Sequence, residues 1–229
     1  MNLAPPEGEG PLRRERLRTA RLYLCCEARP HGEDHPEPLL AAALRGGVDI
    51  VQLREKSLPR REIELAAQTF RRLCDNHSAL FIVNDDPDLA RACDADGVHV
   101  GQDDLAAAGA RAQLGPDAII GLSTHSEEQI AAAAGAPVDY ISVGPIWETP
   151  TKRGRPAVGL ELIGHAAADA PHPFFAIGGI DSSNVSAVIE AGARRLCVVR
   201  AVRDAEDPAA AAEELRAAFA PLGEEAPGG

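Results

Sequence analysis

Eight short apolar runs, unbroken and rich in Val, Ile and Leu, recur along the 229-residue chain. They are Leu22–Cys25, Val48–Leu53, Leu80–Val83, Gly97–Val100, Ile119–Leu122, Tyr140–Val143, Phe174–Ile177 and Leu196–Val199. A run without a polar face reads as a strand covered on both sides, as in a parallel sheet. Helix-like stretches separate the runs. "IELAAQTFRRLC" spans Ile63–Cys74, and "PAAAAEELRAAF" spans Pro208–Phe219. "DSSNVSAVIEAG" has Ser at a helix start and Gly past its end. "DDPDLARA" places Asp86 as the cap and Pro87 at the first helical position. Eight such units in this length predict an α/β fold, a single (β/α)₈ barrel. A doubly wound sheet is the weaker alternative: it usually has fewer strands, and no G-x-G-x-x-G follows the first run. The barrel is expected over residues 19–222. Residues 1–18 and 223–229 read by composition as a flexible extension and tail.

The connections differ in chemistry. Segments leading into the runs are plain: "RGG", "DAD", "GPDA", "AGARR". Segments leaving them are loaded: "QLREK", "NDDPD", "HVGQDD", "STHS", "GPIWETPTKRG", "GGIDSSN", "VRAV". In a parallel barrel all strand exits lie on one face, the face that carries barrel active sites. Residues distant in sequence would therefore surround one pocket.

Composition narrows what that pocket serves. The net charge of −12 opposes general binding to nucleic acid or anionic membranes. No run reaches membrane-spanning length, and the N-terminus lacks the apolar core of a signal peptide. Five cysteines without a C-x-x-C pair suit a reducing compartment. The expectation is a cytoplasmic protein acting on small molecules, with a homo-oligomer left open.

Both lysines of the chain, Lys56 and Lys152, fall in strand exits, beside Arg54, Arg153 and Arg155. A compact ammonium suits phosphate oxygens, although a solvated surface lysine is the plain alternative. "AIGGIDSSN" ends a run in two glycines before a helix start, which suits either a backbone phosphate site or a tight turn. Asp85 and Asp104 each stand just past a run. Two carboxylates with a pyrophosphate make an ordinary Mg²⁺ site, while Asp103 and Asp104 also fit as helix-start acids. No nucleophile–base pair is evident. His99, alternating with apolar neighbours, reads as a core residue, and His125 is left open as ligand or orienter. Asn84, Ser123, Thr149 and Thr151 add polar groups. The set is equipped to hold charge and to let a phosphate-type group leave.

These loops, taken together, resemble thiamine-phosphate synthases. The stretches are "QLREK" at Gln52–Lys56, "ND" at Asn84–Asp85, "HVGQDD" at His99–Asp104, "GLSTH" at Gly121–His125, "GPIWETPTK" at Gly144–Lys152 and "IGGI" at Ile177–Ile180. They stand in order over roughly Leu22 to Phe219. The resemblance implies condensation of hydroxymethylpyrimidine diphosphate with a thiazole phosphate, giving thiamine phosphate and pyrophosphate. It implies that pyrophosphate leaves first and that the thiazole nitrogen then captures the pyrimidine-methylene cation. It implies that Gln52, Leu53, Arg54, Glu55 and Lys56, with Asn84, Ser123 and Lys152, form the pyrimidine diphosphate site, and that Arg54, Lys56, Ser123 and Lys152 take part in the chemistry. It implies Mg²⁺ on Asp85 and Asp104, and thiazole phosphate at Thr149, Thr151, Gly179 and the Val199-Arg200 pair, where Arg200 either reaches the phosphate with its side chain or forms a salt bridge on the barrel rim. The family commonly has Val-Ser where this chain has Val199-Arg200. Two rivals are a tautomerase of the thiazole phosphate and a non-catalytic phosphate-ligand sensor. Neither needs the combined Arg54, Lys56, Asp85, Asp104 and Lys152 set.

Overall fold

The apolar runs are strands, joined in parallel and in chain order into a closed barrel. The computed structural model describes residues 8–32, 35–149 and 156–220. Helix α1 (Gly10–Thr19) leads into β1 (Leu22–Cys26), α2 (Glu37–Arg45), β2 (Ile50–Leu53), α3 (Arg60–His77) and β3 (Leu80–Asn84). Then come α4 (Pro87–Ala92), β4 (Gly97–Val100), α5 (Ala107–Leu114), β5 (Ile119–Thr124), α6 (Glu127–Ala132) and β6 (Tyr140–Val143). The chain continues through α7 (Glu161–Asp169), β7 (Phe174–Ile177), α8 (Val185–Glu190), β8 (Leu196–Val198), α9 (Arg200–Arg203) and α10 (Pro208–Ala217). Pairing of Leu22 with Leu196 and of Tyr23 with Cys197 closes the ring. Asp86 caps α4 as expected, accepting from the Leu89 amide at 2.8 Å. Helix α8 starts later than its serines suggest, with Asn184 before it.

Alternation along each strand divides the core in two. Leu22, Leu24, Val51 and Leu53 face the surrounding helices. Tyr23, Cys25, Ile50, Ile82, Tyr140, Phe175 and Cys197 face inward. Tyr23, Tyr140 and Phe175 meet edge to face, with centroids 5.4–6.0 Å apart. Below them lie Leu17 and Ala20. The barrel interior is thus filled at one end by aromatic packing and the end of α1.

The order of Gly10–Thr19 corrects the expectation of a flexible extension through residue 18. Its charges are not solvated repellers. Arg13 Nε lies 2.9 Å from Asp96 Oδ1, and Arg14 Nε lies 2.9 Å from Asp139 Oδ1. Leu17 is buried on the same helix.

Those acids belong to a pattern. Asp49, Asp96 and Asp139 directly precede β2, β4 and β6. Each carboxylate accepts a backbone N–H from the neighbouring odd-numbered strand: Leu22 at 3.0 Å, Phe81 at 2.8 Å and Ile120 at 2.8 Å. Each also takes an arginine, namely Arg216 at 2.6 Å, Arg71 at 2.9 Å and Arg111 at 2.7 Å. Amides at the leading ends of strands need partners, and these acids supply them. Before β8 the position is Arg195, which donates to the Arg18 carbonyl at 3.1 Å. The fastening therefore lies on the end of the barrel opposite the loaded loops.

The acidic loop after β1 is tied down by α9. Arg203 Nη1 reaches Glu27 Oε1 at 2.6 Å, and His31 Nε2 meets the Arg203 carbonyl oxygen at 2.9 Å. No helix among the described residues is long and apolar enough to cross a membrane.

Candidate active site

All eight strands, seven of them through the segments that leave them, contribute to one cavity of about 670 Å³. Its floor is the polar upper layer of the barrel interior: Gln52, His99, Ser123 and Ser142, with Cys25 and Cys197. Its mouth carries Arg54, Lys56, Asn84, Asp85, Asp104, Thr149, Gly179, Val199 and Arg200. Eleven of the residues expected from the sequence therefore share one space, counting Gln52 and Ser123 on the floor with these nine. Leu53 and Glu55 do not line it. Period-two alternation turns Leu53 outward into the helix layer. Glu55 Oε1 instead accepts from the Lys56 and Ser57 amides, both at 2.9 Å, and from the Ser57 hydroxyl. Thr151 and Lys152, with Arg153 and Arg155, lie outside the described residues.

Two acids of the mouth, Asp85 and Asp104, could hold a cation. Asp85 follows β3 with φ of 65°, a left-handed backbone that Asp tolerates better than most residues. Its amide donates to the His99 carbonyl at 2.8 Å, which holds the strained turn against β4. Lys56 Nζ lies 3.2 Å from Asp85 Oδ2. Burial pushes the Asp85 carboxyl above the ordinary range. A hydrogen bond with the Asp104 carboxyl adds to this, and Lys56 opposes it. Asp104 Oδ2 also accepts from the Gly101 amide at 2.7 Å. Helix α5 begins only at Ala107, with no acid in its first turn, so Asp103 and Asp104 are not its starting acids.

Charge balance points the same way. Among the described lining residues, Arg54, Lys56 and Arg200 face five carboxylates: Asp85, Asp103, Asp104, Asp181 and Asp204. A diphosphate entering beside two facing carboxylates is repelled unless a cation accompanies it. The donor set of hard oxygens suits Mg²⁺, which takes few protein ligands and shares phosphate oxygens. Among the described residues no three His, Cys, Asp or Glu side chains cluster as a fuller metal site.

The Gly178–Gly179 turn serves its own geometry. Gly178 has φ of 106° and Gly179 of 70°. The chain after β6 crosses directly above, with Ile146 N donating to Ile177 O at 2.9 Å and Trp147 N to Gly178 O at 3.1 Å. A side chain at either glycine would overlap Pro145 or Trp147. Because α8 starts at Val185, its first amides do not adjoin Gly179. Gly179 lines the cavity through the turn itself.

Of the floor, sequence reasoning found Gln52 and Ser123 and missed Ser142, Cys25 and Cys197. His99 is a buried, hydrogen-bonded residue of the barrel interior as expected, and with Val98 and Val100 facing outward it also lines the cavity. The alternation in "GVHV" carries that signal. His99 Nε2 lies 3.0 Å from Ser123 Oγ, and Nδ1 lies 3.0 Å from Tyr140 Oη. Gln102 Nε2 donates to the Ser123 carbonyl at 2.6 Å, fixing the same residue from the loop side. His125 is an anchor: its Nδ1 contacts the Gly144 carbonyl, and its amide donates to Gln129 Oε1 at 2.7 Å.

Known proteins resemble this chain in sequence and in fold. The family model described as thiamine monophosphate synthase matches residues 22–202. A thiamine-phosphate synthase of Thermobifida fusca is 53% identical over 205 residues, covering 89% of this chain and 94% of that protein. One of Acidothermus cellulolyticus is 52% identical over 206 residues, covering 89% and 97%. A solved thiamine phosphate pyrophosphorylase from Pyrococcus furiosus superposes with a TM-score of 0.81 at 33% identity, covering 91% of this chain and all of that one.

Proposed function

This chain belongs to the thiamine monophosphate synthase family, enzymes of thiamine biosynthesis, and on that premise we propose how its cavity carries out the condensation. The substrates are 4-amino-2-methyl-5-hydroxymethylpyrimidine diphosphate and a thiazole phosphate. The carbon–oxygen bond to the diphosphate breaks first, and the bonding pair leaves with pyrophosphate. The thiazole ring nitrogen then gives its lone pair to the pyrimidine-methylene carbon. That nitrogen carries no proton, so the step needs no general base. The absence of a nucleophile–base pair from the sequence motifs is consistent with this.

The observation that carries the reading is the convergence of Lys56, Asp85, Asp104 and Ser123 on one cavity from four successive strands. Asp85 and Asp104 would hold Mg²⁺, which would neutralise charge on the diphosphate. Lys56 and Arg54 offer cationic donors at the mouth, and Ser123 offers a hydroxyl from the floor. Holding charge where it develops is the largest single contribution in such reactions. Gln52 and Asn84 complete the pyrimidine diphosphate site, with Lys152 from the loop after β6. The thiazole phosphate is assigned to Thr149, Thr151, Gly179, Val199 and Arg200.

Mixing both substrates with Mg²⁺ should release pyrophosphate and form thiamine phosphate in equal amounts. Isomerised thiazole phosphate without pyrophosphate would assign the cavity to tautomerisation instead. Binding of the thiazole phosphate with no turnover would assign it to sensing.

Arg200 gives a sharper test of the second subsite. It starts α9 directly after β8 and lines the cavity. A charged hydrogen bond to phosphate contributes about 1.5–3 kcal/mol. Arg200→Ala is therefore expected to raise KM for the thiazole phosphate by roughly ten- to a hundredfold, with little change for the pyrimidine diphosphate. Equal effects on the two KM values would refute the assignment.

A further inference from the structure

Beneath the cavity, hydrogen bonds cross the whole barrel. Cys25 Sγ donates to Gln52 Oε1 at 3.3 Å, which turns the Gln52 amide nitrogen toward Tyr23. Gln52 Nε2 donates to Tyr23 Oη at 2.7 Å. Tyr23 Oη lies 2.9 Å from Tyr140 Oη, and Tyr140 Oη lies 3.0 Å from His99 Nδ1. His99 Nε2 ends the series on Ser123 Oγ at 3.0 Å, with Ser142 Oγ the more distant neighbour at 3.5 Å. Both phenols are buried, at 1% and 0% exposure. Burial pushes both well above the ordinary phenol range, so each keeps its proton.

One proton per phenol fixes the direction of the series. Tyr23 accepts from Gln52, so its own proton goes to Tyr140. Tyr140 then donates to His99 Nδ1, which must be the bare nitrogen of the ring. The ring proton is therefore on Nε2 and points at Ser123 Oγ. Ser123, already accepting there, turns its hydroxyl proton into the cavity. The polarity matters because a hydroxyl that presents its proton attracts an anion, whereas one that presents lone pairs repels it. The packing is specific to this arrangement. Gly121 lies on β5 between the two rings, and a methyl group there would overlap both Tyr140 Oη and His99 Nδ1.

We propose that the series Gln52–Tyr23–Tyr140–His99 is a one-way hydrogen-bond relay that sets Ser123 as a proton-presenting donor to the pyrimidine diphosphate, which makes His99 and Tyr140 positioning residues. The proposal rests on the reading of Ser123 as part of the diphosphate site. It deepens that reading by joining two residues of the site, Gln52 on β2 and Ser123 on β5, through the barrel interior.

The first test is the tautomer of His99, read from nitrogen-15 NMR of the full-length protein labelled at histidine, with the His99 signals identified by their loss in His99→Asn. Wild type should show a protonated Nε2 and a bare Nδ1. Tyr140→Phe, which keeps the ring but removes its donor, should shift the population toward protonated Nδ1. A protonated Nδ1 in wild type would mean that the relay runs the other way and would overturn the proposal. The second test is kinetic. Tyr140→Phe should lower kcat roughly tenfold and leave KM for the thiazole phosphate unchanged. In a Ser123→Ala background the same change should cost little more, because the two act as one unit. Full additivity would overturn the relay. Tyr23→Phe supplies a second variant, with the same pattern expected. The NMR result stands whether or not pyrophosphate is released. Failure of the condensation reading and failure of the relay are therefore separable.

Discussion

Asp85→Asn is expected to lower kcat by roughly 10²- to 10³-fold, while the melting temperature stays unchanged or rises. The size follows from what is removed, a charge held in place before the reaction, where the diphosphate's charge must be offset. The stability prediction follows from linkage. Burial and the Asp104 carboxyl hold Asp85 above its ordinary range, with Lys56 opposing. An acid raised in the folded state costs stability once pH exceeds that raised value, and the cost disappears below the ordinary carboxylate range. At neutral pH the charged form is therefore the one that burdens the fold, and Asn relieves it. Asn also tolerates the left-handed backbone at this position, so the turn is kept. A residue with the proposed role would lower stability in exchange for function. Steady-state kinetics and thermal unfolding on the same sample check both halves. Near-normal turnover, or a clear drop in melting temperature, would show that Asp85 is a structural partner of Lys56 and no more.

The sequence made the strands legible because burial on both faces leaves a continuous apolar signature that local context cannot disguise. Gly97–Val100, Tyr140–Val143 and Phe174–Ile177 come out with the same bounds in both readings. Boundaries slipped where an end residue takes a duty outside the sheet. Val48 and Asp49 looked like part of β2, but the Asp49 carboxylate serves the Arg21 and Leu22 amides. Helix α1 escaped notice for a related reason. "RRERLR" looks like a solvated charge run until Asp96 and Asp139, more than eighty residues away, are seen to meet Arg13 and Arg14. The mouth of the cavity was legible because loaded loops cluster by face in a parallel barrel. Its inner limit was not. Reading "QLREK" as a block included Leu53 and Glu55, although alternation turns Leu53 outward and the Lys56 and Ser57 amides hold Glu55. The floor was least accessible, since the contact between Tyr23 and Tyr140 joins residues 117 positions apart. Gln52 and Ser123 were expected at the site, and the alternation around His99 offered a further hint.

Aspartate at the other end of the barrel should behave in the opposite way. Asp96 is 4% exposed and sits just before β4, away from the cavity. It accepts from Arg13 Nε at 2.9 Å, from Arg71 Nη1 at 2.9 Å and from the Phe81 amide at 2.8 Å. Asp96→Ala removes the common partner of two guanidinium groups and one strand amide, leaving Arg13 with the exposed Glu9 and Arg71 with the exposed Asp75 as carboxylate partners. Breaking a buried ion pair from one side costs about 3–5 kcal/mol. For a chain of this length that corresponds to a fall in melting temperature of roughly 6–20 °C. Asp96→Asn retains an acceptor for the Phe81 amide and should cost less than Ala. Because α1 is fastened through Arg13, its amides should exchange with solvent faster in both variants. Activity at low temperature should survive, since no atom of this cluster reaches the diphosphate site. Denaturant unfolding, hydrogen exchange over Gly10–Thr19 and kinetics well below the melting transition together test the assignment. A variant that melts normally but has lost turnover would contradict it, and would mean that the fastened end of the barrel is coupled to the chemistry at the open one.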